Sequence, residues 1–295
     1  MALDELTTEA RAARPDYDQS TTAELVELIN REDATVPRAV AGIAAELAGV
    51  IDAVVERLRG GGRLVYVGAG SSGAIAALDA DECEATFSTE PGQVVALVAG
   101  AGLASEQREA AEDDGAAGRQ AVKELGISAR DSVVGVSASG RTPYVVEALR
   151  AAEAAGALTV AVVAVHDSEL GRIAGHELAA VVGPEVVAGS TRLKAGTAQK
   201  LVLNTISTVA MIRLGKTYGD LMVDVRSSNE KLAARALRIV RSATGASEEE
   251  ARAALAEADG SAKVAIVALL AGTDAKTARE RLDRSGGVIR SALTQ

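Results

Sequence analysis

The sequence predicts an α/β fold: a doubly wound parallel sheet flanked by helices, with N-terminal helices before it and a small C-terminal module of three helices after it. From residue 63 onward, short runs rich in β-branched residues alternate with Ala-rich segments of helical periodicity. These runs are apolar along their length, which is typical of strands buried on both faces of a parallel sheet. With 295 residues and 48% hydrophobic content, the chain is long enough for a full α/β domain with an appendage.

The first sixty residues indicate helices. The segment STTAELVELINRED (20–33) begins with Ser and Thr caps, and Glu24 follows them closely. The next segment, PRAVAGIAAELAGVIDAVVERLRGG (37–61), opens with Pro37 and keeps a helical period until it reaches a pair of glycines. We therefore expect two helices before the sheet.

The order of strands and helices follows from the alternating runs. We expect strands at residues 63–68, 93–100, 131–137, 158–165 and 177–183, with helices after Ser71, over 105–125 and over 142–156. A long helix at 191–215 is apolar around much of its circumference, which favours a subunit interface over burial in the body. After a helix around 227–245, the tail favours three short helices separated by glycines. We expect two domains, residues 1–240 with the sheet and residues 241–295 as a small UBA-like helical module.

Composition excludes several functions. The net charge is −10, and aromatic residues make up 2% of the chain with no Trp, so the surface suits neither phosphate backbones nor stacked bases of nucleic acids. No apolar run approaches the roughly 20 residues of a membrane span, and the N-terminus lacks the build of a signal peptide. We expect a cytoplasmic protein without nucleic-acid or membrane partners. The single Cys83 and the two histidines lack metal-ligand spacing, so no metal is expected.

The stretch VYVGAGSSGAIAALDADECE (65–84) contains the pattern G-x-G-x-x-G at Gly68, Gly70 and Gly73. A dinucleotide site also needs an acidic residue at the end of the second strand, where it binds the ribose. That strand ends in ALVAGAGLA, which contains no acid. The sequence therefore argues against a nucleotide cofactor, and we expect no cofactor at all.

Hydroxyl groups follow two of the predicted strands. In an open parallel sheet, ligands bind beyond the carboxyl ends of the strands, where helix N-termini offer N–H donors. Two such turns form a cradle for a phosphate and the adjacent sugar hydroxyls, although Ser and Thr at these places also commonly serve as helix caps. The expected substrate-binding residues are Gly70, Ser71, Ser72, Ser137, Ser139, Gly140, Arg141 and Thr142. Lys194 is added because, together with Arg192, it lies at the start of a helix, where cations oppose the dipole unless an anion is bound; a solvent-facing position is the alternative.

Several motifs together closely resemble those of the bacterial N-acetylmuramic acid 6-phosphate etherases, over nearly the whole chain. They are VGAGSSG, DADEC, AAED, SGRTPYVVEAL, GPEVVAGSTRLKAGTAQKLVLNTIST and YGDLMVDV, with LTTEAR and INREDATVPRAV before them and GGVIR near the end. The resemblance implies a sugar-isomerase-type (SIS) domain, a homodimer, a sugar-phosphate substrate and no metal or nucleotide. It also implies cleavage of the D-lactyl ether by water to give N-acetylglucosamine 6-phosphate and D-lactate, in cell-wall recycling or scavenging.

The resemblance further implies two catalytic glutamates, Glu82 of DADEC and Glu112 of AAED. Elimination of lactate needs a base near C2 of the open-chain sugar and an acid near O3, and the addition of water reverses both proton transfers. We expect Glu82 to act at the leaving oxygen and C2, with Glu112 as its partner.

Three positions depart from the family pattern. Ala74 stands where the family commonly has Arg, and Glu84 and Ala85 stand where it has prolines. These changes affect how the sugar or its lactyl carboxylate is held. Two other hypotheses remain on the same fold: a non-catalytic sugar-phosphate sensor resembling the regulatory SIS proteins that bind glucokinase, and a sugar-phosphate isomerase.

Overall fold

The computed structural model of the chain describes residues 7–11, 17–224 and 230–295. The first residues of the helix predicted from Ser227 lie outside this part, as do Leu6 and Val225 of the family motifs. The described residues form two compact units, one containing residues up to 81 with 92–207, the other containing 82–91 with 208–295. The boundary predicted between residues 240 and 241 concerns independent folding and stays a prediction.

The first unit is built on a five-stranded parallel sheet with the order β2-β1-β3-β4-β5. The strands are β1 (Leu64–Gly68), β2 (Val94–Val98), β3 (Ser132–Val136), β4 (Leu158–Val163) and β5 (His176–Ala179). Every residue of β1, β3 and β4 is buried, as the continuous apolar runs predict. The predicted doubly wound parallel sheet is confirmed.

Helices precede and flank this sheet. They are α1 (Thr22–Asp33), α2 (Val36–Ala41), α3 (Ala44–Arg59), α4 (Gly70–Phe87), α5 (Ser105–Glu112), α6 (Gly115–Glu124), α7 (Pro143–Ala154), α8 (Glu169–Ile173) and α9 (Lys194–Arg213). Thr21 and Glu24 form the predicted capping box of α1. The apolar residues Val202, Leu203 and Ile206 of α9 are fully buried within the single chain.

Two predicted helices are interrupted. The segment 37–61 divides into α2 and α3, because the backbone leaves the helical region at Ile43. The segment 105–125 divides into α5 and α6, because the Asp114 carboxylate accepts a hydrogen bond from the Ala117 N–H and starts a new helix. This second break ends α5 at Glu112.

The second unit is helical apart from a small hairpin, β6 (Thr217–Tyr218) with β7 (Leu221–Met222), which the sequence did not indicate. Its helices are α10 (Glu230–Thr244), α11 (Glu248–Glu257), α12 (Ala262–Ala271), α13 (Ala275–Arg284) and α14 (Ile289–Ala292). Ser247, Ser261 and Asp274 cap the three predicted tail helices with their side chains. The apolar α12 is the centre of the core.

Candidate active site

The two hydroxyl-bearing loops begin side by side at the carboxyl ends of adjacent strands. Strand β1 pairs with β3 so that Gly68 lies opposite Val136. Two segments start from this pair: residues 69–72, which enter α4 at Gly70 and are called the first loop here, and residues 137–142, the second loop. The chain runs from β1 outward to β2 on one side, and from β3 outward to β5 on the other. The loops therefore flank the point where the strand order reverses, which is where open α/β sheets bind ligands.

The glycines of the first loop allow helix α4 to approach the sheet closely. A Cβ at Gly68 would lie 2.8 Å from the Gly73 Cα, and a Cβ at Gly73 would lie 2.7 Å from Val98 Cγ1. Gly70 has φ +50°, in the left-handed region that favours glycine. The G-x-G-x-x-G pattern thus has a packing cause here that needs no dinucleotide.

Glu112 lies against this first loop. A Cβ at Gly70 would lie 2.6 Å from Glu112 Oε1, so the carboxyl group occupies the space that the glycine leaves open. Burial raises the pKa of Glu112, and the neighbouring Asp113 and Glu109 raise it further. A carboxyl group that holds its proton more readily than usual, at the end of α5 and against the first loop, is suited to proton transfer.

The two serines of the first loop have different surroundings. Ser71 is exposed, whereas Ser72 is half-buried and donates a hydrogen bond of 2.9 Å to Gln199 Oε1 on α9. The sequence analysis missed Gln199. The only signal for it was its place in the GSTRLKAGTAQK block, where the cations drew attention instead.

The second loop is a tight turn held by its own hydroxyls. Ser137 Oγ lies 2.9 Å from Thr142 Oγ1 and accepts a hydrogen bond of 3.1 Å from the Gly140 N–H. Gly140 has φ +63°, and a Cβ there would lie 2.4 Å from the Ser168 Cβ. Within the described part of the chain, the Thr142 side chain makes no capping bond to α7. Pro143 at the first position of α7 has no N–H, and the Val145 N–H donates to the Thr142 carbonyl at 3.0 Å, so hydroxyls and loop N–H groups are the main polar groups at this helix start.

The remaining members of this loop differ in exposure. Ser139 is half-buried and Arg141 is exposed. The loop is braced from outside by the Leu170 N–H, which donates to the Gly140 carbonyl at 2.9 Å. Its conformation is thus fixed without a ligand.

Lys194 is engaged by protein groups. Its Nζ lies 2.9 Å from Glu32 Oε2, and the side chain is 3% exposed. Glu185 accepts hydrogen bonds of 3.0 Å from the N–H groups of Lys194 and Ala195, so a buried carboxylate already occupies the start of α9. The anion inferred at this helix start is present in the protein itself, and the substrate-binding role of Lys194 stays a prediction.

Glu82 is the first residue of the second unit. It is exposed and lies twelve residues beyond Gly70 on the same helix. The neighbouring Cys83 is buried, which agrees with a packing role.

The described residues lack two kinds of feature. They contain no group of three or more His, Cys, Asp or Glu side chains placed to hold a metal ion. None of their helices combines the length and apolar character needed to cross a membrane.

The chain is similar to named proteins over almost its whole length. A protein of Rubrobacter xylanophilus, N-acetylmuramic acid 6-phosphate etherase, is 57% identical over 293 residues, which are 99% of this chain and 97% of the relative. A protein of the same name from Streptomyces avermitilis is 54% identical, covering 99% of this chain and 94% of the relative.

Two further comparisons concern the sheet. The family described as the glucokinase regulatory protein N-terminal SIS domain matches residues 46–153. The solved structure of a phosphoheptose isomerase from Francisella tularensis covers 65% of this chain and 100% of its own, with a TM-score of 0.53 and 17% identity. At this identity the likeness concerns the fold alone, and it confirms the SIS-type sheet.

Proposed function

This chain belongs to the family of N-acetylmuramic acid 6-phosphate etherases, and from that premise we propose that it cleaves the D-lactyl ether of N-acetylmuramic acid 6-phosphate. The products are N-acetylglucosamine 6-phosphate and D-lactate. Within the structure, the observation that carries the proposal is the Glu112 carboxyl, which lies on Gly70 beside the hydroxyl loops and has a raised pKa.

The reaction proceeds in two steps that each need an acid and a base. In the first, a carboxylate removes the proton at C2 of the open-chain sugar, the C3–O bond breaks, and a carboxylic acid protonates the departing lactate oxygen. In the second, the carboxylate left by the first step takes a proton from water as the water oxygen bonds to C3, and the carboxyl group that received the C2 proton returns it to C2. The pair of acids is Glu82 and Glu112, and each changes its protonation state within a turnover.

The two loops hold the phosphorylated sugar. Ser137, Gly140 and Thr142 form a preorganised turn before α7, where main-chain N–H groups and hydroxyls suit a phosphoryl group. The proposed set also includes Ser139 and Arg141 from this turn, and Gly70, Ser71 and Ser72 for the adjacent sugar hydroxyls.

The protein acts as a homodimer in this proposal. Glu82 is exposed and belongs to the second unit, whereas Glu112 lies against Gly70 in the first. Leu78 is 57% exposed and lies one turn before Glu82, on the same face of α4. An apolar residue exposed beside a functional acid suits contact with a second copy, which would bring its Glu82 to the Glu112 of the first.

The setting follows from the chemistry of the substrate. A phosphorylated amino sugar carries a charge that does not cross a lipid bilayer unaided. We therefore place the enzyme in the cytoplasm, in the catabolism of amino sugars released from peptidoglycan.

Release of D-lactate from N-acetylmuramic acid 6-phosphate tests the function. The purified protein is expected to release D-lactate and N-acetylglucosamine 6-phosphate in equal amounts, and Glu82→Gln to bind substrate without turnover. Binding of the substrate with no lactate at high enzyme concentration would instead support the sensor hypothesis. Conversion of a sugar phosphate to its ketose would support the isomerase.

Mixing two inactive variants tests the shared site. In a heterodimer of Glu82→Gln with Glu112→Gln, one of the two sites has both glutamates if they come from different chains. Random exchange of subunits then restores about a quarter of wild-type activity, because half of the dimers are mixed and each has one intact site. If each site is built within one chain, the mixture stays inactive, and the shared site is refuted.

A further inference from the structure

Gln199 lies at one end of a row of polar side chains between α4 and α9. This row, called the polar seam, consists of Ser72, Gln199, Asp79, Asn204 and Ser207. Gln199 is 3% exposed, and its Oε1 accepts the hydrogen bond from Ser72 Oγ. Among the residues that the structure describes, no atom accepts a hydrogen bond from its Nε2, which is also buried. In the described part of the chain, the amide oxygen of Gln199 has a hydrogen-bond donor, whereas its amide nitrogen has no acceptor.

The rest of the seam is satisfied without Gln199. Seven residues beyond Ser72, the buried carboxylate of Asp79 accepts hydrogen bonds from the Tyr66 hydroxyl at 2.7 Å and from Ser207 at 3.1 Å. Asn204 on α9 donates to the same carboxylate. This network joins β1, α4 and α9, so the packing of the two helices does not depend on Gln199.

Folding stability gives no reason for an amide at this position. A buried N–H group without an acceptor costs more free energy than a single neutral hydrogen bond returns. A Met side chain has a similar length and fills the same space without any polar group to satisfy. The contact that distinguishes Gln199 is the one with Ser72, a member of the proposed substrate site.

We propose that Gln199 is a positioning residue, which holds the Ser72 hydroxyl in one orientation for the sugar-phosphate substrate. A free serine hydroxyl has three staggered positions, and the acceptor Oε1 selects one of them. With its hydrogen directed to Gln199, the Ser72 oxygen keeps a fixed place beside Gly70 before the substrate arrives. This inference rests on the proposed function, because it assigns Ser72 to the site of that reaction.

Four variants test this proposal through D-lactate release. Gln199→Met is expected to raise KM about tenfold or more while kcat changes little. A contact that is made equally in the bound ground state and in the transition state affects KM and not kcat. The Tm of Gln199→Met should equal or exceed that of the wild type, because the unsatisfied amide is gone. Gln199→Glu keeps an acceptor oxygen for Ser72 and should retain most of the affinity. Ser72→Ala should match Gln199→Met, and the double variant should be no worse than Ser72→Ala alone.

Ser207→Ala is the matched control on the same helix. It removes one donor to Asp79 and is expected to lower Tm with KM unchanged. The proposal is overturned if Gln199→Met keeps KM within twofold, if its effect adds fully to that of Ser72→Ala, or if its KM rises only together with a fall in Tm.

A failure of the proposed etherase reaction can be distinguished from a failure of the positioning role of Gln199. If the wild type releases no lactate, the same variants are compared by the rise in Tm that N-acetylglucosamine 6-phosphate produces. A smaller rise in Gln199→Met than in the wild type then supports positioning of a sugar phosphate without the etherase reaction. Equal rises in the two proteins, or no rise in either, overturn it.

Discussion

The two ends of the parallel strands differ in how their carboxyl groups are held. At the amino ends a carboxylate is paired with a cation, and at the carboxyl ends a carboxyl group has a raised pKa. At the amino ends, Arg63 precedes β1 and forms two hydrogen bonds of 3.0 Å to the carboxylate of Asp131, which precedes β3. Arg63 also donates to the Leu125 carbonyl, and the Ser128 N–H donates to Asp131. At the carboxyl ends, Glu112 lies against Gly70, and burial together with its acidic neighbours raises its pKa.

The pKa values express this difference. Burial alone would raise the pKa of Asp131, but hydrogen bonds from Arg63 and Ser128 outweigh burial and lower it to about 2. Glu112 has burial and acidic neighbours acting in the same direction, so its pKa rises. One end of the sheet therefore stabilises its charged groups for the folded state, and the other leaves a carboxyl group ready to exchange a proton.

The largest effect is expected from Glu112→Gln, which should lower kcat for D-lactate release by about 10² to 10⁴. The substitution keeps the shape of the side chain and replaces the titratable carboxyl group by an amide that cannot act as an acid or a base. Because the folded protein disfavours the charge of Glu112, Tm at neutral pH should stay the same or rise slightly. Kinetic assays and thermal unfolding of the same sample check both halves.

Activity near the wild-type level would place the second acid elsewhere. Glu106→Gln is the matched control, because it removes an exposed carboxyl group from the first turn of the same helix and Glu106 is not among the groups that raise the pKa of Glu112. Its kcat should remain close to that of the wild type.

Sequence alone predicts the sheet and both loops, because each depends on short-range patterns. Strands buried on both faces carry continuous apolar runs, and Gly-rich turns with Ser71 or Ser137 follow them directly. The order of the strands then brings the turns together. Local chemistry predicts each turn, and the pairing of β1 with β3 decides that the turns adjoin.

The rest of the site depends on contacts between distant residues. Ser72 and Gln199 are 127 positions apart, and no local pattern indicates that they meet. The break before α6 escaped prediction because Ala-rich helical periodicity continues through it, while the capping preference of Asp114 decides the local structure. Because that break ends α5 at Glu112, the sequence alone did not indicate that Glu112 lies beside Gly70.

At the opposite end, Asp131→Asn is expected to lower the free energy of unfolding by about 3 kcal/mol, because it leaves Arg63 without its charged partner. For a domain of this size the corresponding fall in Tm is about 6 to 10 °C. The kcat per folded molecule should be unchanged, since the pair lies at the end of the strands away from the loops. Chemical denaturation and initial-rate kinetics measure the two quantities separately.

A large loss of kcat in the folded fraction of Asp131→Asn would contradict this division of roles between the two ends.

Gly70→Ala should produce an intermediate effect on both properties. The alanine is disfavoured at φ +50°, and its Cβ would displace the Glu112 carboxyl that lies 2.6 Å from that position. We expect a loss of about 1 to 2 kcal/mol in stability and about tenfold or more in kcat.

Gly61→Ala is its matched control. Gly61 also has a positive φ, +76°, but nothing lies within 4 Å of a Cβ there. It should lose stability by a similar amount with no change in kcat. Equal kinetic effects in the two variants would mean that the Gly70 contact with Glu112 is irrelevant to turnover.

The smallest effects are those of pH, and they should have opposite signs at the two ends. The folded-state pKa of Asp131 is depressed to about 2 from 3.8, so its stabilisation is complete above pH 3.8 and is lost as pH falls through 2. The folded-state pKa of Glu112 is raised above 4.5, so wild-type protein should be slightly less stable than Glu112→Gln at neutral pH and equal to it at pH values below 4.5.

Thermal unfolding of wild type, Asp131→Asn and Glu112→Gln between pH 3 and 8 measures both differences. The difference in Tm between wild type and Asp131→Asn should become smaller as the pH falls, because Asp131 gains a proton on unfolding. The difference in Tm between Glu112→Gln and wild type should become larger toward neutral pH, because Glu112 loses its proton more easily in the unfolded chain. Two differences of the same sign at neutral pH, each taken as wild type minus variant, would show that the ends of the sheet do not differ in the way their carboxyl groups are held.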